Sequence, residues 1–156
     1  MEGGWRRRRG ISPKPPWLDP EKVREAEREA RRAVREALRG ERGDELASAV
    51  LELYREIPRE NWVARAVARV LLGTVVRKGE GVWLVYGVPE LGDWHGYYIV
   101  VLEGGRYRCS CYTTKWGWRR ASRICTHVAA VMLARRLERL ARAEEREEGY
   151  TRGDWG

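Results

Sequence analysis

Phenylalanine and glutamine are absent from the 156-residue chain, and asparagine occurs once, at Asn61. Eight Trp and seven Tyr must therefore supply the large ring side chains. The scarcity of thermolabile amides, with arginine outnumbering lysine 27 to 4, fits a protein from a high-temperature organism that relies on ion-pair networks. A GC-rich genome would give part of the same bias. No apolar run approaches the roughly 20 residues of a membrane-spanning helix, and the arginines near the N-terminus have no hydrophobic segment behind them. The chain reads as cytoplasmic, with neither a membrane nor a small-molecule substrate expected. Cysteine is limited to three residues, an odd number in a chain long enough to build its own core. This argues against a disulfide framework and makes metal binding the default. Gly-x-Ser-x-Gly elbows and P-loops are missing, so no enzyme is expected.

What is present is charge. Charged residues make up 35% of the chain, and the formal net charge is +8 with a pI near 9.8. An anionic partner follows, with nucleic acid the first candidate.

The pattern along the chain predicts an α+β fold: a helical N-terminal region, then an antiparallel β-meander, then a zinc-anchored C-terminal helix. Residues 1–18 read as a basic arm containing Arg6, Arg7, Arg8 and Arg9, with five basic residues against one acid. A helical region spans 19–73. Asp19-Pro20 is a helix start, and Val23, Ala26, Ala30, Ala33, Val34, Ala37 and Leu38 recur at helical spacing up to Gly40. A second helix opens at Asp44 and is stopped by Pro58. A third is expected from Asn61 to Leu72, ending at Gly73. Residues 74–148 hold the sheet and the last helix. The period changes after Gly73, and Thr74–Arg77, Val82–Val88, His95–Leu102 and Arg106–Cys111 read as four strands joined by short Gly-containing turns. Helical spacing returns after Cys125, with Ala130, Leu133, Leu137, Leu140 and Ala141 on one stripe. Residues 149–156 are expected to form a tail.

All three cysteines and one of two histidines fall in the pattern Cys109-x-Cys111, thirteen residues, Cys125-x-His127. Two close pairs of soft or borderline donors suit one tetrahedral Zn²⁺, and Cys₃His is an ordinary structural set. On a strand, residues two apart share a face, so Cys109 and Cys111 can aim at one ion from the end of the last strand. In a helix such residues lie on nearly opposite sides. Cys125 must then precede the helix, with His127 in its first turn, where exposed N–H groups favour a thiolate. Four protein donors close the coordination sphere and leave no position for an activated water, so the ion is structural. A buried thiol cluster without metal and a redox switch are the competing readings, the latter weakened by the lack of Cys-x-x-Cys. His95 has no partner motif and reads as structural or exposed.

These residues resemble the SWIM zinc finger, whose signature is Cys-x-Cys, a variable spacer and Cys-x-His on a strand-strand-helix frame. The resemblance covers about Val82 to Leu140 and implies that Cys109, Cys111, Cys125 and His127 ligate zinc. Ala130 matches a small residue of SWIM proteins in Shu-type recombination complexes, although helix packing alone could require it.

Between the ligand pairs lie Lys115, Trp116, Trp118, Arg119, Arg120 and Arg123. From Arg106 to Arg123 the chain holds six basic residues and no acid. Arg106 and Arg108 should face away from Tyr107 and Cys109. Arginines beside aromatics suit phosphate pairing and base stacking. The alternative packs Trp116 and Trp118 over the zinc and leaves the arginines solvated. Since the family resemblance implies DNA or protein binding, three roles follow. The first is a nucleic-acid-binding module using these residues and the arm. The second is a protein adaptor docking through its N-terminal helices, as a partner of a recombinase paralogue would. The third is an accessory subunit of a ribonucleoprotein.

Overall fold

The computed structural model of the chain describes residues 18–113 and 124–155. The arm residues Arg6 to Arg9 and the spacer residues Lys115, Trp116, Trp118, Arg119, Arg120 and Arg123 lie outside the described residues.

Helix α1 spans Pro20–Leu38 and is started by the Asp19 side chain, which accepts a 2.9 Å hydrogen bond from the Lys22 N–H. Its buried stripe, Val23, Ala26, Ala30, Ala33, Val34 and Ala37, is the one the sequence periodicity marks. Helix α2, Glu45–Glu56, is capped in the same way by Asp44, which accepts from the Ala47 N–H at 3.0 Å. Helix α3, Glu60–Leu71, lacks a side-chain cap and buries Val63, Ala64, Ala66, Val67, Ala68 and Arg69.

The sheet is a four-stranded antiparallel meander in chain order: β1 Val75–Gly79, β2 Val82–Tyr86, β3 Tyr97–Glu103 and β4 Arg106–Cys109. Three strands are shorter than the sequence suggests. β2 stops at Tyr86 and β3 begins at Tyr97, because a 3₁₀ turn at Pro89–Leu91 and the loop to Gly96 intervene. Pro89 lacks a ladder donor, and the Val88 N–H is captured by the Asp93 side chain at 2.8 Å. At the other end, β4 stops at Cys109, and Cys111 lies in a 3₁₀ turn, Ser110–Thr113, instead of on the strand. The Ser110 hydroxyl accepts the Ile99 N–H at 3.0 Å, and the Cys111 N–H turns back toward Cys109 Sγ at 3.5 Å.

Helix α4 runs from Thr126 to Trp155, beyond Gly149 where a tail is expected. Arg and Glu, both good helix formers, fill much of this end, and no proline interrupts it. Its first turns are more deeply buried than a single stripe implies: every residue from His127 to Leu133 is buried. The helix packs against α2 and α3 and also against the sheet, so both sides demand apolar contacts. Further along, Leu137 and Leu140 are only half-buried, and Ala141, expected on the stripe, is exposed.

The inner face of the sheet carries Trp83, Val85, Tyr98, Val100 and Cys109, all buried. Strand alternation places Arg106 and Arg108 on the opposite face, where both are exposed.

Candidate metal centre

The structure brings Cys109, Cys111, Cys125 and His127 together: their donor atoms all lie within 4.8 Å of one another, and all four residues are buried. Three local devices deliver them. Cys109 ends β4 facing the core, and the 3₁₀ turn after it swings Cys111 back. Cys125 immediately precedes α4; its carbonyl accepts from the Ala129 N–H at 2.9 Å and its sulfur from the Val128 N–H at 3.4 Å. His127 is therefore in the first helical turn, the placement expected from its spacing.

The donor set and its dimensions fit zinc. With Zn–S bonds of ~2.3 Å and Zn–N of ~2.0–2.1 Å, a regular tetrahedron has S···N edges of about 3.5 Å. His127 Nδ1 lies 3.6 Å from Cys109 Sγ and 3.7 Å from Cys125 Sγ. The other ring nitrogen, Nε2, is 2.8 Å from Asp93 Oδ1. A carboxylate on that side fixes the proton on Nε2, so that the Nδ1 lone pair points at the three sulfurs.

Asp93 is itself held. Arg69 donates Nη1 to Oδ2 at 2.6 Å and Nη2 to Oδ1 at 3.0 Å, and Nη2 also reaches Thr126 Oγ1 at 3.1 Å. Both members of this ion pair are buried, the Arg69 side chain at 1% exposure. Its Nε has no hydrogen-bond partner among the described residues. The Tyr98 ring covers one face of His127, with centroids 3.8 Å apart and planes 22° from parallel. The Tyr98 hydroxyl accepts the N–H groups of Trp94 and His95, which pins the Asp93 loop to β3. Gly87 makes that loop position feasible, since a Cβ there would sit 1.8 Å from the His95 carbonyl oxygen.

The electrostatics follow from these contacts. For Asp93, burial favours the neutral acid, but the His127 hydrogen bond and the Arg69 charge outweigh it and hold the carboxyl down at about 2. For the metal-free His127, burial opposes the charge, whereas hydrogen bonds to Asp93, Cys111 and Cys125 lift the imidazole to about 10. Hydrogen bonds among the thiols push Cys109 up and Cys125 down, and His127 adds to the lowering of Cys125. A cation of charge two replaces the protons that these groups otherwise share.

Asp93, Arg69 and Tyr98 are missed by reasoning from motifs. Arg69 left a trace: it interrupts the apolar face of α3 between Ala66 and Val70, a place where an unpaired charge would be costly. Asp93 sits in a loop without periodicity and left none. His95, expected to be structural or exposed, is half-buried with its ring edge-on to Tyr98 at 5.7 Å. Among the described residues no helix is long and apolar enough to cross a membrane.

No family model, curated protein or solved structure matches the chain.

Proposed function

We propose that this chain is a SWIM-type zinc module in which one structural Zn²⁺, held by Cys109, Cys111, Cys125 and His127, displays a basic surface to nucleic acid in the cytoplasm. The observation that carries the reading is the alternation along β4. Cys109 faces the buried metal centre, while Arg106 and Arg108 on either side of Tyr107 are exposed on the reverse of the same strand. Fixing the end of β4 to α4 through the ion therefore also fixes two guanidinium groups at the edge of the sheet. The chain continues from there into Lys115, Trp116, Trp118, Arg119, Arg120 and Arg123, and the net charge of +8 favours a polyanion. Closed coordination by four protein donors gives the ion no catalytic position, in keeping with a binding role.

Fluorescence anisotropy with labelled single- and double-stranded DNA and RNA at low salt tests this. Binding should weaken steeply with salt, and Arg106→Glu/Arg108→Glu should reduce both affinity and the salt slope, by about one per lost phosphate contact. Absence of binding to all four probes by the zinc-loaded protein would overturn it. An adaptor role is the second reading, favoured by the exposure of Leu51 on α2 and Leu71 at the end of α3. Docking through those apolar positions would be nearly indifferent to salt.

A further inference from the structure

Besides the arginines of β4, the structure contains a second basic surface on α4. A cleft of about 430 Å³ is lined by Arg77 of β1 and by Arg135, Arg136, Arg139 and Arg142 of α4, with Tyr107 of β4 at its wall. Only Glu56 and Glu138 oppose them in the lining. Three of the five arginines are engaged with carboxylates: Arg77 with Glu138 at 3.2 Å, Arg136 with Glu52 at 3.2 Å and with Glu56, and Arg139 with Glu52 at 2.7 Å. Arg135 and Arg142 have no carboxylate partner among the described residues, and both are exposed.

Arg135 is nevertheless fixed. Its Nη1 donates to the Tyr107 hydroxyl at 2.6 Å, and its guanidinium lies 5.8 Å from the centre of the Trp83 ring. Arg77 lies 5.5 Å from the same ring. Uncharged groups thus hold Arg135 in place without neutralising it, which leaves a preorganised donor for an anion. Arg135, Arg139 and Arg142 follow one another at spacings of four and three residues, on one face of α4, with about 5.4 Å of rise per turn. A single bound anion would need one such group. A ladder of them suits a chain of phosphates.

We infer that this cleft is a second contact surface for the phosphate backbone of nucleic acid, with Arg135 and Arg142 as its principal contacts. The surface is continuous with the one proposed above, because Tyr107 walls the cleft from the strand that presents Arg106 and Arg108 on its other side. A strand crossing the β4 edge can meet both. The inference rests on the nucleic-acid reading and deepens it by naming where the backbone runs.

The test compares the zinc-loaded full chain with Arg135→Glu/Arg142→Glu and with Arg24→Glu/Arg28→Glu, a control with the same charge change at exposed positions of α1. Labelled 20-nucleotide single strands and duplexes are titrated at several salt concentrations, after zinc content and circular dichroism have been checked. The cleft variant should bind at least about tenfold more weakly than the control, with a salt slope lower by about two. Because Arg135 also packs on Trp83, Arg142→Glu alone provides a second readout, with a slope lower by about one. Equal affinities for cleft and control variants, with the wild type still binding, would overturn this inference and leave the β4 surface standing. Binding of an acidic peptide but of no oligonucleotide by the wild type would overturn both.

Discussion

Asp93 accepts a 2.8 Å hydrogen bond from Nε2 of His127, 34 residues further along the chain, and so joins the loop between β2 and β3 to the first turn of α4. Arg69 extends the link to α3 through its paired contacts with the same carboxylate. The metal centre is in this way tied to the helical N-terminal region as well as to the sheet. Loss of metal should be felt in both.

Replacement of Asp93 tests this link at the ligand. Asp93→Asn removes the charge that sets the His127 tautomer while nearly keeping the shape, and zinc affinity should fall about 10- to 100-fold. Competition with a chromophoric chelator measures it. An unchanged affinity would mean that His127 is oriented without Asp93.

Arg69 can be tested through stability. Arg69→Met leaves the Asp93 carboxylate buried without its principal counter-charge, which should cost about 3–5 kcal/mol in denaturant unfolding of the zinc-loaded protein. Arg69→Met combined with Asp93→Asn should cost less than the two single changes added together, because neither partner is then left charged alone. Additive losses would contradict a coupled pair.

Gly87 gives a backbone test of the same loop. Gly87→Ala brings a methyl group into the His95 carbonyl, so the loop must move and carry Asp93 with it. Lower thermal stability and weaker zinc retention are both expected. Ala at Gly40, where nothing lies within 4 Å of the new Cβ, affects only a positive-φ turn and should leave zinc retention as it was.

Acidification should release the metal. In the metal-free centre His127 holds its proton up to about 10, and Cys109 stays protonated as well. Zinc binds the deprotonated forms, so binding expels protons and weakens as pH falls, by at least about tenfold per unit. For the metal-free fold the sign is reversed. The raised His127 value contributes stability below the ordinary 6.5 that is lost as pH rises through about 10. Zinc affinity that is flat between pH 6 and 8 would contradict the assignment.

The α+β architecture and the four clustered donors were legible because they are written in periodicity and spacing. Ala26, Ala30 and Ala33 mark a buried helix face, and a cysteine two residues before a histidine at a helix start leaves little choice of geometry. The details that failed lie where side chains compete with the ladder. The strand pattern continues through Val88 and Cys111, yet Asp93 takes the Val88 N–H and Ser110 takes that of Ile99, so both strands end early. The full burial of α4 between Val128 and Leu133 reflects its neighbours on two sides, which a one-dimensional stripe does not report. Asp93 itself acts only through folding, which brings Arg69 and His127 to it from distant segments.

The central claim is a structural zinc held by three sulfurs and one imidazole. X-ray absorption at the zinc edge on the purified full chain, with metal analysis for stoichiometry, tests it most directly. One zinc per chain is expected, with three sulfur neighbours at about 2.3 Å and one nitrogen at about 2.0–2.1 Å. A chain that folds with the same stability and no metal, or a zinc shell containing water oxygen in place of a sulfur or the imidazole, would contradict the account.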